Sequence, residues 1–231
     1  MRAKNQIVTR ELLIFGLSEK EIDFDSLDAP VHSAAVVAIT QLKDLAWQDG
    51  YDLRIASGFR NFSKQLQIWN EKATGIRPIL GLDGRELERK NLSDDACVDA
   101  ILRWSALPGA SRHHWGTEID IYDANSLCDG RSLQLTLEEC DAGGDQFRFH
   151  QWLNDQMTTL DDMGFYRPYA VFKGGVAREP WHLSYRPLAE HYYSLHSLLG
   201  LKDVLVNSKI ELKSSVLKNV DKIYTQYFLN T

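Results

Sequence analysis

The 231-residue sequence has few cysteines and no cysteine pair of the CxxC type. Cys97, Cys128 and Cys140 lie far apart, which argues against a zinc site built from closely spaced thiolates. Their odd number also argues against the disulfide framework of a small secreted protein. We therefore expect free thiols, with a Cys128–Cys140 bridge as the alternative.

Long apolar runs are absent as well. A membrane-spanning helix needs about 20 apolar residues, and no segment approaches that length. The apolar run LLIFGL near the N-terminus is followed by charged residues, so it lacks the pattern of an export signal. We expect no membrane span and a cytoplasmic protein, with the periplasm or secretion by another route as the alternative.

Acidic residues outnumber basic ones. The chain has 26 Lys and Arg against 32 Asp and Glu, a formal net charge of -6, and its basic residues are scattered. A nucleic-acid groove would require a basic stripe, so we expect no nucleic-acid partner.

Hydrophobic periodicity predicts helices and short strands in alternation. The predicted helices cover 32–50, 61–75, 93–107 and 144–164; the predicted strands cover 51–57 and 117–123, with a hairpin formed by 165–172 and 179–185. Residues 76–92 are predicted to form an exposed loop, and the tail after Pro187 two helices broken near Gly200. This order favours an α+β fold, in which helices flank a small, mostly antiparallel sheet that carries the polar site.

The segment LPGASRHHWGTEIDIYD gathers imidazole and carboxylate groups at the start of a predicted strand. In an extended strand, Glu118 and Asp120 point to the same face. A turn at Gly116 would bring His113 over that face. Together, His113 and Asp120 would supply two of the three protein ligands of a catalytic zinc site.

The best candidate for the third ligand is His182, in the segment EPWHLSY. Glu179 lies three residues before it and would supply the general base that a zinc hydrolase needs. Taken singly, each of these residues is more simply explained as structural.

The remaining histidines and two aromatic residues are predicted to be structural. We interpret His191 and His196 as lying on the solvated face of a helical tail, and His114 as exposed, with a supporting role beside the metal as its alternative. The other residues in this structural group are His32, His150, Phe59 and Trp115. The two aromatics are expected in the core, with a place in the wall of a substrate cleft as the alternative.

Three motifs resemble those of the zinc D-alanyl-D-alanine carboxypeptidases and dipeptidases, the VanY-like family, in the group that includes lysostaphin-type peptidases and the hedgehog domain. SRHHWGTEID resembles the family's SxHxxGxxxD motif, EPWHLSY its ExWHxxY motif, and SGFRNFSKQ (57–65) its SGxRxxxxQ segment. The motifs occur in the family's order. We predict one peptidase domain over 1–231, with a motif core at 57–185 and helical extensions at both ends.

The resemblance implies that Zn²⁺ is bound by His113, Asp120 and His182, and that Glu179 is the general base. It also implies that Arg60 acts in catalysis by binding the substrate's C-terminal end. An arginine fork suits a carboxylate, although a surface ion pair is the alternative for this residue.

Two further substrate-binding residues follow from the resemblance: Gln65 beside the arginine, and Ser111 through its hydroxyl. Both residue types also commonly cap helices or line loops. Glu118 departs from the family, which usually has a small apolar residue there. We expect it either to add negative charge beside the metal or to contact substrate amines.

The predicted function is a zinc-dependent carboxypeptidase that releases the C-terminal D-alanine of peptidoglycan stem peptides or their precursors. One alternative is a D-Ala-D-Ala dipeptidase or a peptidoglycan endopeptidase with the same metal centre. Another is a zinc-binding interaction module that has lost catalysis.

Overall fold

The computed structural model describes residues 12–127 and 132–230, in which helices surround a small sheet. The α-helices are α1 (Val36–Gln48), α2 (Phe62–Ala73), α3 (Asp94–Leu102), α4 (Leu137–Cys140), α5 (Phe147–Asp155), α6 (Met157–Asp162), α7 (Arg186–Leu195), α8 (Leu198–Asn207) and α9 (Lys213–Ile223). The strands are β1 (Ile22–Asp23), β2 (Val31–His32), β3 (Leu53–Ser57), β4 (Ile79–Leu80), β5 (Glu86–Leu87), β6 (Glu118–Asp123), β7 (Phe165–Tyr166) and β8 (His182–Tyr185). The predicted α+β class is confirmed.

The central sheet has the strand order β3-β6-β8-β7, and each neighbouring pair is antiparallel. In β6, one of its two inner strands, apolar and acidic side chains alternate. Ile119 and Ile121 are fully buried in an apolar cluster with α1 and α5, while Glu118 and Asp120 point to the other face. The sheet therefore carries its polar groups on the face opposite this cluster.

A second apolar cluster joins α2 and α3 to the C-terminal helices. Trp69, Ile101, Leu205 and Val220 are among its fully or almost fully buried members. Trp115, which follows the two adjacent histidines, is also fully buried there, and its indole N–H donates to the carbonyl of Ile14 at 3.1 Å. The C-terminal helices thus pack directly behind the His113 segment.

Several predicted helices are confirmed with shifted ends. Asn61 and Ser93 cap α2 and α3 by accepting backbone hydrogen bonds, as such residues do at helix starts. The helix predicted over 93–107 ends at Leu102, and the helix predicted over 144–164 is divided at Gln156. The predicted loop at 76–92 contains the short β4–β5 hairpin.

The predicted hairpin is confirmed only in part. Phe165 and Tyr166 of β7 pair with Tyr185 and Ser184 of β8, but the remainder of 165–172 is not a strand. Glu179 also precedes β8 and lies in the connecting segment.

The tail prediction was wrong, because helices α7, α8 and α9 follow one another where two were expected. Gly200 lies inside α8, where its N–H donates to the capping hydroxyl of Ser197 at 3.2 Å. A β-carbon at this glycine would lie only 2.5 Å from the Phe15 ring. The glycine therefore serves close packing and does not end the helix.

His196 is buried, which corrects its predicted place on a solvated face. Its Nε2–H donates to the carbonyl of Gly109 at 2.8 Å, and Phe15 packs edge-on against its ring. His191 is exposed, as predicted.

His32 and His150 are buried, in keeping with their predicted structural roles. Cys97 and Cys140 are free and buried. The alternative bridge to Cys128 lies outside the described residues.

In the parts of the chain described, none of the helices has both the length and the apolar character that a bilayer crossing demands.

Candidate metal centre and cavity

The predicted turn after His113 is present. Residues Arg112–Trp115 form one 3₁₀ turn that ends at Gly116, whose φ is 67°. A β-carbon at Gly116 would also lie 2.6 Å from the backbone nitrogen of His32. Only glycine fits both the left-handed backbone and this close approach.

Hydrogen bonds join this turn to the segment that follows β3. The Nδ1–H of His113 donates to the carbonyl of Gly58 at 2.7 Å, and the N–H of Arg60 donates to the carbonyl of His113 at 3.0 Å. The first bond leaves Nε2 of His113 without a proton and facing Asp120, at 3.4 Å from Oδ2. The turn therefore presents a lone pair toward the carboxylate.

Strand pairing places His182 beside Asp120. The two residues are direct partners in the β6–β8 register, and Nδ1 of His182 lies 2.9 Å from Oδ1 of Asp120. One ligand atom from each of His113, Asp120 and His182 lies within 4.8 Å of the others, and all three residues are buried. Two imidazole nitrogens and one carboxylate oxygen are donor types that zinc binds, so this donor set suits such an ion.

The charges around these residues favour a cation. Burial alone would raise the pKa of the Asp120 carboxyl, but the two neighbouring imidazoles hold this pKa far below its usual range. Burial would lower the pKa of His182, but hydrogen bonds to Asp120 and Glu118 outweigh it and raise this pKa to about 10. The carboxylates thus create a site that stabilises positive charge.

Glu179 faces the same point from the segment before β8. Its Oε2 lies 3.6 Å from Nδ1 of His182, and its N–H donates to the carbonyl of Tyr169 at 3.0 Å. Burial raises the pKa of Glu179 to about 7, although His182 acts in the opposite direction. A carboxylate with this pKa can accept and release a proton near neutral pH.

The three other predicted residues occupy different positions around a cavity of about 330 Å³. Arg60 and Ser111 line it together with the three candidate ligands and Glu179. Gln65 is fully buried and accepts a hydrogen bond from Nη1 of Arg60 at 3.0 Å, while its own amide donates to the carbonyl of Ala106 at 2.8 Å. Gln65 therefore lies outside the cavity lining and orients the Arg60 guanidinium through its hydrogen bond with Nη1.

The cavity contains a further cation that the sequence analysis passed over. Lys72 lines it, and its amine donates to the hydroxyl of Ser105 at 2.7 Å. Burial, followed by the charge of Arg77, lowers the pKa of Lys72 to about 8. The spacing of two helical turns from Gln65 was a signal that could have identified it, because it puts both residues on one face of α2.

Glu118 lies outside the cavity lining, which corrects the expectation that it contacts substrate amines. Its carboxylate is fully buried and accepts hydrogen bonds from Nε2 of His182 at 2.8 Å and from Ser184 Oγ at 2.7 Å. Nη2 of Arg112 donates to it at 3.2 Å. Burial would raise the pKa of Glu118, but Arg112 and His182 outweigh it and lower the pKa to about 2.

His114 is fully buried, which corrects the expectation that it is exposed. Its Nδ1–H donates to the carbonyl of Arg60 at 2.6 Å, and its Nε2 accepts the N–H of Gly109 at 3.0 Å. With both nitrogens bound to the backbone, this histidine has a structural role and faces away from the candidate ligands. Phe59 and Trp115 are buried, as predicted.

Comparison with known families agrees with the three motifs. Residues 28–188 match the model of the family described as VanY, D-alanyl-D-alanine carboxypeptidase. The chain belongs to the VanY family. The matched range contains all the predicted site residues, and membership makes the protein a peptidase of a peptidoglycan-related hydrolase family.

Relatives of this VanY-family chain include an uncharacterized protein of Haemophilus influenzae (strain ATCC 51907 / DSM 11121 / KW20 / Rd). It is 34% identical over 125 residues, which are 53% of this chain and 93% of that protein. A D-alanyl-D-alanine carboxypeptidase of Enterococcus faecalis (strain ATCC 700802 / V583) is 27% identical over 174 residues. That match spans 74% of this chain and about half, 54%, of the enterococcal protein.

Solved structures with a similar fold include a mutant of the vancomycin resistance D,D-pentapeptidase VanY in complex with Zn(II). It has 22% identity and a TM-score of 0.49, with 85% of this chain and 89% of that chain covered. The LD-carboxypeptidase LdcB has 23% identity and a TM-score of 0.43, with 73% of each chain covered. The assignment to VanY rests on the family match and not on these structures.

Proposed function

We propose that this protein is a zinc-dependent carboxypeptidase that releases the C-terminal D-alanine of peptidoglycan stem peptides or their precursors. The VanY family match and the name of the enterococcal relative support this substrate class. The observation that carries the proposal is the convergence of His113, Asp120 and His182 in one cavity with Glu179 and Arg60. This is the set of groups that metal-assisted cleavage of a terminal peptide bond requires.

Zinc would be held by Nε2 of His113, a carboxylate oxygen of Asp120 and Nδ1 of His182. Two neutral imidazoles and one carboxylate form a three-ligand set that leaves a position open, as in catalytic zinc sites. The chemistry that zinc supplies in such sites is Lewis acidity, which polarises a carbonyl and lowers the pKa of water.

Glu179 would act as the general base. Its carboxylate lines the cavity next to the candidate ligands, and its pKa of about 7 allows it to take a proton from the attacking water at neutral pH. The same carboxyl group, once protonated, would deliver that proton to the nitrogen of the departing amino acid.

Arg60 would bind the terminal carboxylate of the substrate. Its guanidinium reaches the cavity, where its nearest carboxylate oxygen is Oδ2 of Asp120 at 3.7 Å, which is beyond hydrogen-bond distance. It therefore retains donors for a bidentate contact with a carboxylate. Ser111, which is buried at the cavity wall, would contribute a hydroxyl nearby.

The experiment that tests this function measures release of D-alanine from a peptide ending in D-Ala-D-Ala. Removal of metal with a chelator should abolish release, and one equivalent of zinc should restore it. Glu179→Gln should lower kcat by about 10²–10⁴-fold, the usual contribution of a general base, while zinc remains bound.

Glu190→Gln is the matched control, because Glu190 is an exposed glutamate on α7 that pairs with Arg186. It should leave kcat unchanged. Full turnover in Glu179→Gln would contradict the proposed role of the base. Zinc binding with no hydrolysis of any peptide would favour the interaction module instead.

The same assay separates the carboxypeptidase from its enzymatic alternatives. Free D-Ala-D-Ala as the preferred substrate would indicate a dipeptidase. Cleavage within cross-linked stem peptides, without release of a terminal residue, would indicate an endopeptidase.

A further inference from the structure

Glu118 is a buried carboxylate that the proposed reaction leaves without a role. It is fully inaccessible and lies on β6, two residues before Asp120. Its register partner on β8 is Ser184, just as the partner of Asp120 is His182. The two carboxylates therefore lie on the same face of the sheet, with the His182 ring between them.

The hydrogen bonds around His182 differ at its two nitrogens. Nδ1 faces Asp120 at 2.9 Å and Glu179 at 3.6 Å, on the cavity side. Nε2 faces Oε2 of Glu118 at 2.8 Å, on the buried side. Since an ionised carboxylate only accepts hydrogen bonds, the proton of a neutral His182 lies on Nε2 and the lone pair on Nδ1.

The surroundings of Glu118 require a carboxylate in this position. Oε1 accepts from Ser184 Oγ at 2.7 Å, from Nη2 of Arg112 at 3.2 Å and from Thr117 Oγ1 at 3.2 Å, while Oε2 accepts from His182. All four neighbours can donate. A buried group with donors on every side must be an acceptor, and the charge of Arg112 balances an anion.

We infer that Glu118 is a positioning residue for the metal centre, which fixes the orientation of the His182 ring so that Nδ1 faces the ion. This inference rests on the proposed zinc site. A histidine that ligates a metal characteristically donates its other N–H to a carboxylate or carbonyl, and loss of that partner typically weakens metal binding by about 10–100-fold. His113 has the equivalent support from the carbonyl of Gly58.

The test compares Glu118→Gln with Asp123→Asn. In the first variant the NH₂ group of glutamine must face one of the four donors, so the hold on His182 is weakened. Asp123 is the matched control because it is also a buried carboxylate of β6, but it accepts from the N–H groups of Asp52 and Asn125 and from Ser126 Oγ. Neither side chain lines the cavity.

Zinc dissociation constants are measured by competition with a chelating dye, so that the result is independent of activity. Glu118→Gln should bind zinc about 10–100-fold more weakly, whereas Asp123→Asn should bind it as the unsubstituted protein does even if it melts at a lower temperature. The visible absorption bands of the cobalt(II)-substituted protein should shift in Glu118→Gln and not in Asp123→Asn.

Should Glu118→Gln not fold, the double variant Arg112→Met/Glu118→Gln removes both buried charges and is expected to show the same loss of zinc affinity. Equal zinc affinity and an unchanged cobalt spectrum in a folded Glu118 variant would overturn the inference and leave the proposed function intact. Failure of the unsubstituted protein to bind zinc would overturn the proposed function itself.

Discussion

Two arginines and two glutamates lie around the two ring nitrogens of His182, and the two sides are built differently. On the Nε2 side, Arg112 donates to Glu118 at 3.2 Å, and both are almost completely buried. On the Nδ1 side, Arg60 and Glu179 both line the cavity. The two charges of the first pair satisfy each other within the protein, whereas the charged groups of the second pair remain available to a ligand.

The contrast extends to the pKa values of the two glutamates. Burial raises the pKa of both carboxyl groups, but the donors around Glu118 lower it to about 2, whereas that of Glu179 remains raised at about 7. Burial alone therefore does not distinguish a structural carboxylate from a reactive one. The adjacent charge of Arg112 and the internal hydrogen-bond donors around Glu118 do.

The largest effect is expected from Arg112→Met, which would leave Glu118 buried without its charge partner. Loss of one member of a buried ion pair costs about 3–5 kcal/mol of unfolding free energy. Urea unfolding in the presence of a chelator measures this without any contribution from bound metal.

Arg54→Met provides the matched control, since Arg54 is half exposed and pairs with Asp52 at 2.9 Å. It should change the unfolding free energy by less than about 1 kcal/mol. Similar losses in the two variants would remove the distinction drawn between the satisfied pair and an ordinary surface pair.

Mild acid should destabilise the protein through its buried neutral imidazoles, while the buried ion pair of Arg112 and Glu118 stays intact. Glu118 stays ionised down to pH about 2, whereas burial lowers the pKa of His196 to about 4 from its ordinary 6.5. Below pH 6.5 the unfolded chain therefore takes up a proton that folded His196 does not. The contribution of His196 to the unfolding free energy is complete above pH 6.5. It is lost as the pH falls toward 4, and the loss is on the order of 3 kcal/mol.

Unfolding free energies measured at pH 7 and pH 4.5 check this prediction. His196→Gln keeps a donor for the carbonyl of Gly109 and should reduce the difference between the two pH values. His191→Gln, at an exposed position, should leave it unchanged. An unaltered difference in His196→Gln would contradict the assignment.

The smallest effect is expected from Arg60→Met, on the Nδ1 side. Loss of a bidentate contact with a terminal carboxylate should lower kcat/KM by about a hundredfold, the range for hydrogen bonds between charged groups. The decisive measurement compares a peptide with a free C-terminus and the same peptide with a C-terminal amide.

The unsubstituted protein should prefer the free carboxylate strongly, and Arg60→Met should lose most of that preference. A retained preference would show that another cation, for which Lys72 is the candidate in the cavity, recognises the carboxylate.

The sequence allowed the candidate metal centre to be outlined because most of its geometry is local. His113, Gly116 and Asp120 are separated by a short turn and an alternating strand, and both are readable from residue type. His182 lies far along the chain, and only the motif resemblance connected it with the other two. The β6–β8 register accounts for that connection, because Asp120 and His182 are paired residues.

What could not be predicted depends on packing between distant segments. His114 is next to His113, yet its direction is decided by backbone groups of Arg60 and Gly109. The role of Gln65 behind Arg60 requires the carbonyl of Ala106, which lies forty-one positions away. Helix boundaries in the tail depend on contacts such as that of Gly200 with Phe15, which no local pattern reveals.

The main chain of Arg60 is bound on both sides of its α-carbon to the turn that carries His113. Its N–H donates to the carbonyl of His113 and its carbonyl accepts from His114, while its side chain extends into the open space. The residue that would bind a peptide's terminal carboxylate and a residue that would hold the metal are thus linked directly through backbone hydrogen bonds. Changes in the surrounding loops should therefore alter how tightly a peptide is held, but not which of its bonds is cut.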